Sequence, residues 1–385
     1  MKKLKIARIG TFLAMATFIS AVSAPSVFAA TPVINEFNVA SGSTPTDIVE
    51  ASNGNLWFTQ NATNQIGEIT SNGTVTEFSA PAGSGPTGLV VGPNGNIWFT
   101  ETNINKLGEL NVSTSAVTQY SLAAASYPVG ITYGPNNNFW VVEQDATSVV
   151  EVNTSGTVVN TYNTTYGGNY ITVGPDGNLW VTANAHIQKV TPNGVVTNYT
   201  VPGTSPSVVG NIVIGSNNNL WFADSANNKI DEVTVNGNFS GFTVPTAASS
   251  PQFVAKGPDG NIWFTENAGN MIGSVTSTGS FNTSYTIPTA ASSPLAITNG
   301  PNNTLWFTES STNKIGEVTG IVSTVTPTPA ATVASTNSKT PDTGYGTPRH
   351  FSLSEMILGA VGIASFLGGG AVAIRKNLTK HSQVQ

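Results

Sequence analysis

GPDGNIWFTENAGNMIGSVT, residues 257–276, joins a turn to two short apolar runs. Asp259-Gly260 is a tight-turn pair, and the β-branched and aromatic residues after it favour strand. The same text returns as GPNGNIWFTE at 92–101 and GPDGNLWVTA at 174–183. Each copy carries a tryptophan, and all seven tryptophans of the 385-residue chain fall in this series: Trp57, Trp98, Trp140, Trp180, Trp221, Trp263 and Trp306. A period of about 40–45 residues without helical patterning predicts a β-propeller with one four-stranded blade per repeat. In the second repeat, strand a is expected over 88–91, b over 97–100, c over 106–110 and d over 117–122.

A second periodic signal fixes blade number and closure. An aromatic expected in strand d precedes the next tryptophan by about one half-period: Phe78, Tyr120, Tyr162, Tyr199, Phe242 and Tyr285. The seventh such residue is Phe37, at the start of the series and not at its end. The expected fold is therefore an all-β, seven-bladed propeller over residues 30–320. Its last blade would take its d strand from Val33-Ile34-Asn35-Glu36-Phe37. An open solenoid leaves unexplained why the missing strand reappears at the other end of the series.

Charge narrows the function classes. Between Ala30 and Gly320 there are five Lys, no Arg and 18 Asp or Glu, a net charge of −13. No basic track exists for nucleic acid or for an anionic membrane surface. The chain has no cysteine, which excludes disulfide scaffolds and thiolate metal sites.

The two ends read as addresses. Residues 1–29 combine Lys2, Lys3, Lys5 and Arg8, an apolar run and small residues before a cleavage point after Ala29, the pattern of a secretory signal peptide; an uncleaved anchor is the alternative. Residues 321–339 form a Thr/Ser/Pro-rich spacer. Within residues 340–385, Met356 to Ile374 is uncharged and long enough to span a bilayer, and Arg375 and Lys376 follow it. Thr340-Pro341-Asp342-Thr343-Gly344 resembles a sortase sorting signal, with Thr340 where leucine is usual. That resemblance implies cleavage between Thr343 and Gly344 by a sortase and linkage to a Gram-positive cell wall; retention by the transmembrane helix alone is the alternative. Either way the propeller is expected outside the cell.

The repeat itself, through residues 31–320, resembles the virginiamycin B lyase (streptogramin lyase) family. The resemblance implies a seven-bladed propeller that opens a streptogramin B ring by Mg²⁺-dependent elimination. It also implies a histidine in a Pro-His-Gly segment before strand a, 14 residues ahead of a glutamate that ends the Trp-Phe-Thr-Glu strand. The glutamate half is present as Glu101, Glu143, Glu266 and Glu309, with Gln60 and Asp224 at equivalent places and Ala183 breaking the series. The histidine half is not: the matching positions hold Thr46, Thr87, Val129, Asn169, Gly210, Gln252 and Leu295.

Ligand-binding candidates are accordingly Glu101, Glu143, Asp224, Glu266 and Glu309, expected at the ends of their b strands on one face. They would serve either as scaffold acceptors or as a ligand-binding ring. The fourth repeat adds His186, Tyr166 and Tyr170, where a shortened b–c loop and a lost acid mark either a binding spot or a drifted loop. Tyr127, Tyr133, Gln252 and Phe253 are weaker candidates. The expected role is a monomeric binding module, without cofactor or metal, for a glycan, a peptide or a surface protein. The alternatives are a Mg²⁺-dependent lyase acting on a cyclic depsipeptide or polysaccharide, and a plain spacer domain.

Overall fold

Strand b of each blade is buried along its whole length, as in Ile97–Glu101 and Ile262–Glu266, because it lies between strands a and c with a neighbouring blade on each face. Strand d, at the rim, mixes half-buried and exposed residues, as in Phe239–Thr243. The computed structural model describes residues 31–203 and 209–322. The signal-peptide, sorting-motif and transmembrane-helix expectations, and nearly all of the spacer, lie outside the described residues. Among the described residues, no helix is long and apolar enough to cross a membrane.

The described residues form seven four-stranded antiparallel sheets, each ordered a-b-c-d from the axis outward. The seventh is completed by Val33–Asn38, which pairs antiparallel with Lys314–Thr319 from Val33↔Thr319 to Asn38↔Lys314. This is the expected closure. Every tryptophan of strand b packs on the predicted d-strand aromatic of its own blade, from Trp98–Tyr120 at 5.1 Å between ring centroids to Trp263–Tyr285 at 5.9 Å. Phe37 stacks on Trp306 at 5.4 Å and 15°. The far side of the d aromatic is covered by the c–d turn of the next blade. A Cβ at Gly73, whose φ is +84°, would lie 2.2 Å from the Phe37 ring, and Gly156 stands in the same relation to Tyr120. Glycine is needed there twice over, for backbone conformation and for contact.

By this topology the b–c and d–a loops share one face of the disc, the upper face, and the a–b and c–d hairpins share the other. The a strands pack against one another around the axis. In six blades the a–b ladder slips near the start of strand a, as between Pro86 and Leu89. Strand a of blade 4, Tyr170–Val173, pairs without a slip. At the slip, the Thr of Trp-Phe-Thr links two blades: Thr100 Oγ1 accepts from Gly88 N at 2.9 Å and donates to Val129 O of the next blade at 2.9 Å. Thr265 does the same with Phe253 N and Leu295 O. On the lower face Asp259, expected as a turn residue, and its equivalent Asp176 each also accept the indole N–H of their own tryptophan at 3.0 Å.

Candidate functional site

Glu101, Glu143, Asp224, Glu266 and Glu309 each end a b strand, and their side chains lie inside their own blades, at 0–1% exposure. Local donors hold them. Glu101 accepts from Gln119 at 2.7 Å, Glu143 from Ser148 at 2.6 Å, Glu266 from Ser284 at 2.6 Å, Glu309 from Thr312 at 3.1 Å and Asp224 from Asn227 at 2.8 Å. One oxygen of each of the four glutamates is buried without a hydrogen-bond partner among the described residues. Burial pushes the Glu309 carboxyl up to about 7, with help from the nearby charge of Glu36. Burial also raises Glu101 against the donor Gln119. Lys314 pairs with Glu36 at 3.4 Å, and Lys106 donates to Gln119 at 3.0 Å. The carboxylates therefore do not converge at the channel mouth.

Blade 4 departs from the others as its sequence does. Strand b carries Val181, where most other blades have Phe, and Ala183, where the others have Glu, Asp or Gln; the space takes Gln188, which is fully buried. The Gln188 amide holds the d–a loop: Oε1 accepts from Thr165 N and Tyr166 N at 3.0 and 3.1 Å, and Nε2 donates to Tyr166 O at 2.9 Å. That loop lays Tyr166 on His186, with ring centroids 3.8 Å apart and planes 5° from parallel. Both rings are half-buried on the upper face. Tyr170, two residues beyond Gly168, is not part of this pair. It lies at the axis, edge-on to Phe253 at 4.9 Å and 74°.

The axis holds what the sequence reading missed. Asp47, Gly130, Tyr170, Asn211 and Phe253, all from a strands, line a cavity of about 120 Å³. Asp47 Oδ2 accepts from Leu89 N of the next blade at 3.1 Å, and Oδ1 from Ile48 N at 2.9 Å. Even with these bonds, enclosure by the inner strands pushes the Asp47 carboxyl up to about 7. Asn211, the matching residue of blade 5, forms a two-way clamp: Oδ1 accepts from Val254 N at 2.7 Å and Nδ2 donates to Val254 O at 2.9 Å. The available signal was the single residue after the Pro-Thr of blade 1, an acid where the other blades carry Gly, Ala, Asn or an aromatic.

The residues around the mouth do not fit the hard cation that the family resemblance implies. Such an ion takes about six or more oxygen ligands, whereas the glutamates are absorbed within separate blades. Among the described residues no three His, Asp or Glu side chains gather as a ligand set. At the mouth itself, Thr46 hydroxyl contacts Thr59 at 2.8 Å, Asn169 bonds Gln144, and Thr87 bonds Thr102 at 2.8 Å, a neutral polar rim.

A model described as the virginiamycin B lyase family matches residues 26–169 and 162–337. A streptogramin B lyase structure aligns at a TM-score of 0.69 and 30% identity, covering 75% of this chain and 97% of that one. Virginiamycin B lyase from Staphylococcus aureus, in selenomethionine form, aligns at 0.71 and 30% identity, covering 76% of this chain and all of that one. A catalytically inactive histidine-to-alanine variant of the S. aureus enzyme with quinupristin gives 0.70 and 30%, with 76% and 100% covered. No curated protein matches by sequence.

Proposed function

The chain belongs to the virginiamycin B lyase family, and from that membership we propose that it works as an extracellular binding propeller and not as a lyase. The observation that carries this reading is the absence of a proton-transfer pair at the mouth. Removal of one histidine inactivates the S. aureus relative. Here the seven positions ahead of the b-strand acids carry no histidine, and His186 is held in a stack with Tyr166. General acid–base chemistry needs a titratable group within hydrogen-bond reach of the reacting atom. Thr, Asn and Gln groups on the rim suit hydrogen bonds to a neutral glycan or peptide, with the flat Tyr166–His186 pair beside them for stacking.

Surface display belongs to the same proposal. The charged and apolar segments of the two ends support export and tethering, through sortase linkage at Thr343 or through the terminal helix. Val33 pairs with Thr319 on the lower face, so the chain enters and leaves the disc there.

Two experiments test this. Incubation of the purified protein with a streptogramin B and Mg²⁺ should leave the ring intact by mass spectrometry; a linear elimination product would restore the lyase reading. Thr343→Ala should remove the protein from a cell-wall digest and leave it in the membrane fraction. An unchanged wall fraction would assign the anchor to the helix.

A further inference from the structure

We propose that the axial cavity binds a small organic ammonium group, with the Asp47 carboxylate as its counter-ion and Tyr170 and Phe253 as its aromatic wall. The proposal is independent of what the upper rim binds.

The first argument is the choice of side chain. Asn211 shows that an amide at this place in strand a bonds both the N–H and the C=O of the adjacent inner strand. Asp47 occupies the corresponding place in blade 1, and an ionised carboxylate has no proton to donate, so it can only accept. For stapling blades alone, asparagine does more. Once ionised, a carboxylate here places a negative charge in a confined space, a cost that a bound cation offsets.

The second argument is the surroundings. Among the described residues, none of the propeller's five lysines lines the cavity, and Tyr170 is the one other titratable side chain there. The charge of Asp47, after burial, holds the Tyr170 hydroxyl in its neutral form far above the usual range. Tyr170 and Phe253 meet edge-on and supply π surface within reach of the acid. Carboxylate plus aromatic rings is the chemistry that takes up ammonium groups.

The third argument is size. Gly130 keeps the inner strands close, since a Cβ there would lie 2.7 Å from Asn169 O. The remaining space of about 120 Å³ equals roughly four waters. That suits an ammonium carrying a few methyl groups. A hard divalent ion would find one carboxylate where it needs several oxygens.

Tetramethylammonium chloride and methylammonium chloride are the probes, compared with sodium and potassium chloride at equal ionic strength. At pH 8, where Asp47 is ionised, one of the ammonium salts should raise the melting temperature saturably, and titration calorimetry should show a single site. At pH 5 the effect should shrink, since protonation of Asp47 removes the counter-ion while Tyr170 stays neutral at both values. Asp47→Asn, which copies Asn211 and should fold, should abolish the response. Phe253→Leu should weaken it about tenfold, the loss of a desolvated cation–π contact. Equal effects of ammonium and alkali salts, or an Asp47→Asn protein that still responds, would overturn the assignment.

Discussion

Deletion of residues 31–39 is expected to lower the melting temperature by roughly 10 °C or more. The segment contributes the outer strand of blade 7, paired over six residues with Lys314–Thr319. It also brings Glu36, which accepts from Thr289 N and Oγ1 at 3.0 and 2.9 Å, and Asn35, which donates to Glu317 at 3.0 Å. Phe37 would vanish from between Trp306 and Gly73, opening both its own blade and the seam with blade 1. Phe37→Ala alone should cost about 3 kcal/mol, the low end for Phe truncation because the ring is half-buried. Thermal melts of both variants check this. An unchanged melting curve for the deletion would show that the ring closes without the strand.

Stability should fall as pH rises from about 4.5 to 8. Burial pushes Asp47 and Asp231 up to about 7, the latter reinforced by Asp224, and Glu309 reaches a similar value. In the unfolded chain these groups ionise near 4. Between the two values the folded state binds more protons than the unfolded one, so their contribution is fully present below the unfolded pKa and is lost as pH climbs through about 7. The opposite group, Glu36, Glu151 and Asp176, is partly buried. Hydrogen bonds nevertheless hold these carboxyls low: from Thr289 to Glu36, from Asn160, Asn136 and Asn138 to Glu151, and from Trp180 and Asn178 to Asp176. Their contribution is lost only in stronger acid. The loss from pH 4.5 to 8 should be on the order of a few kcal/mol, or roughly 5–10 °C in melting temperature. Asp231→Asn combined with Glu309→Gln should flatten much of the slope. A melting temperature that rises over this interval would contradict the placement of these acids.

The architecture was legible because it is written in residues that recur once per blade. The tryptophan period set the blade length, and the displaced Phe37 revealed the closure, since a strand missing at one end had to be supplied from the other. The b-strand acids show the limit of that approach. Their position was readable, but the direction of their side chains depended on what faced them in strands c and d. Gln119, Ser148 and Ser284 draw the carboxylates inward. In blade 4 the loss of the acid at Ala183 was visible, and Val181 stands opposite Gln188 where four blades pair Phe with Gly. Asp47 lies one residue beyond Thr46, the place where the family resemblance puts histidine, so that pattern does not reach it.

The sealing of the disc by its two chain ends also bears on how it carries load. A pull on the chain beyond Val322 reaches Lys314–Thr319 along the strand's own direction. That strand is flanked by Thr304–Glu309 on one side and by Val33–Asn38 on the other, so the force runs parallel to both ladders. The hydrogen bonds are then loaded in shear and must yield together, whereas a strand peeled from its end gives them up one at a time. A propeller held by its C-terminal side in moving fluid would thus be clamped at the very strand where tension enters.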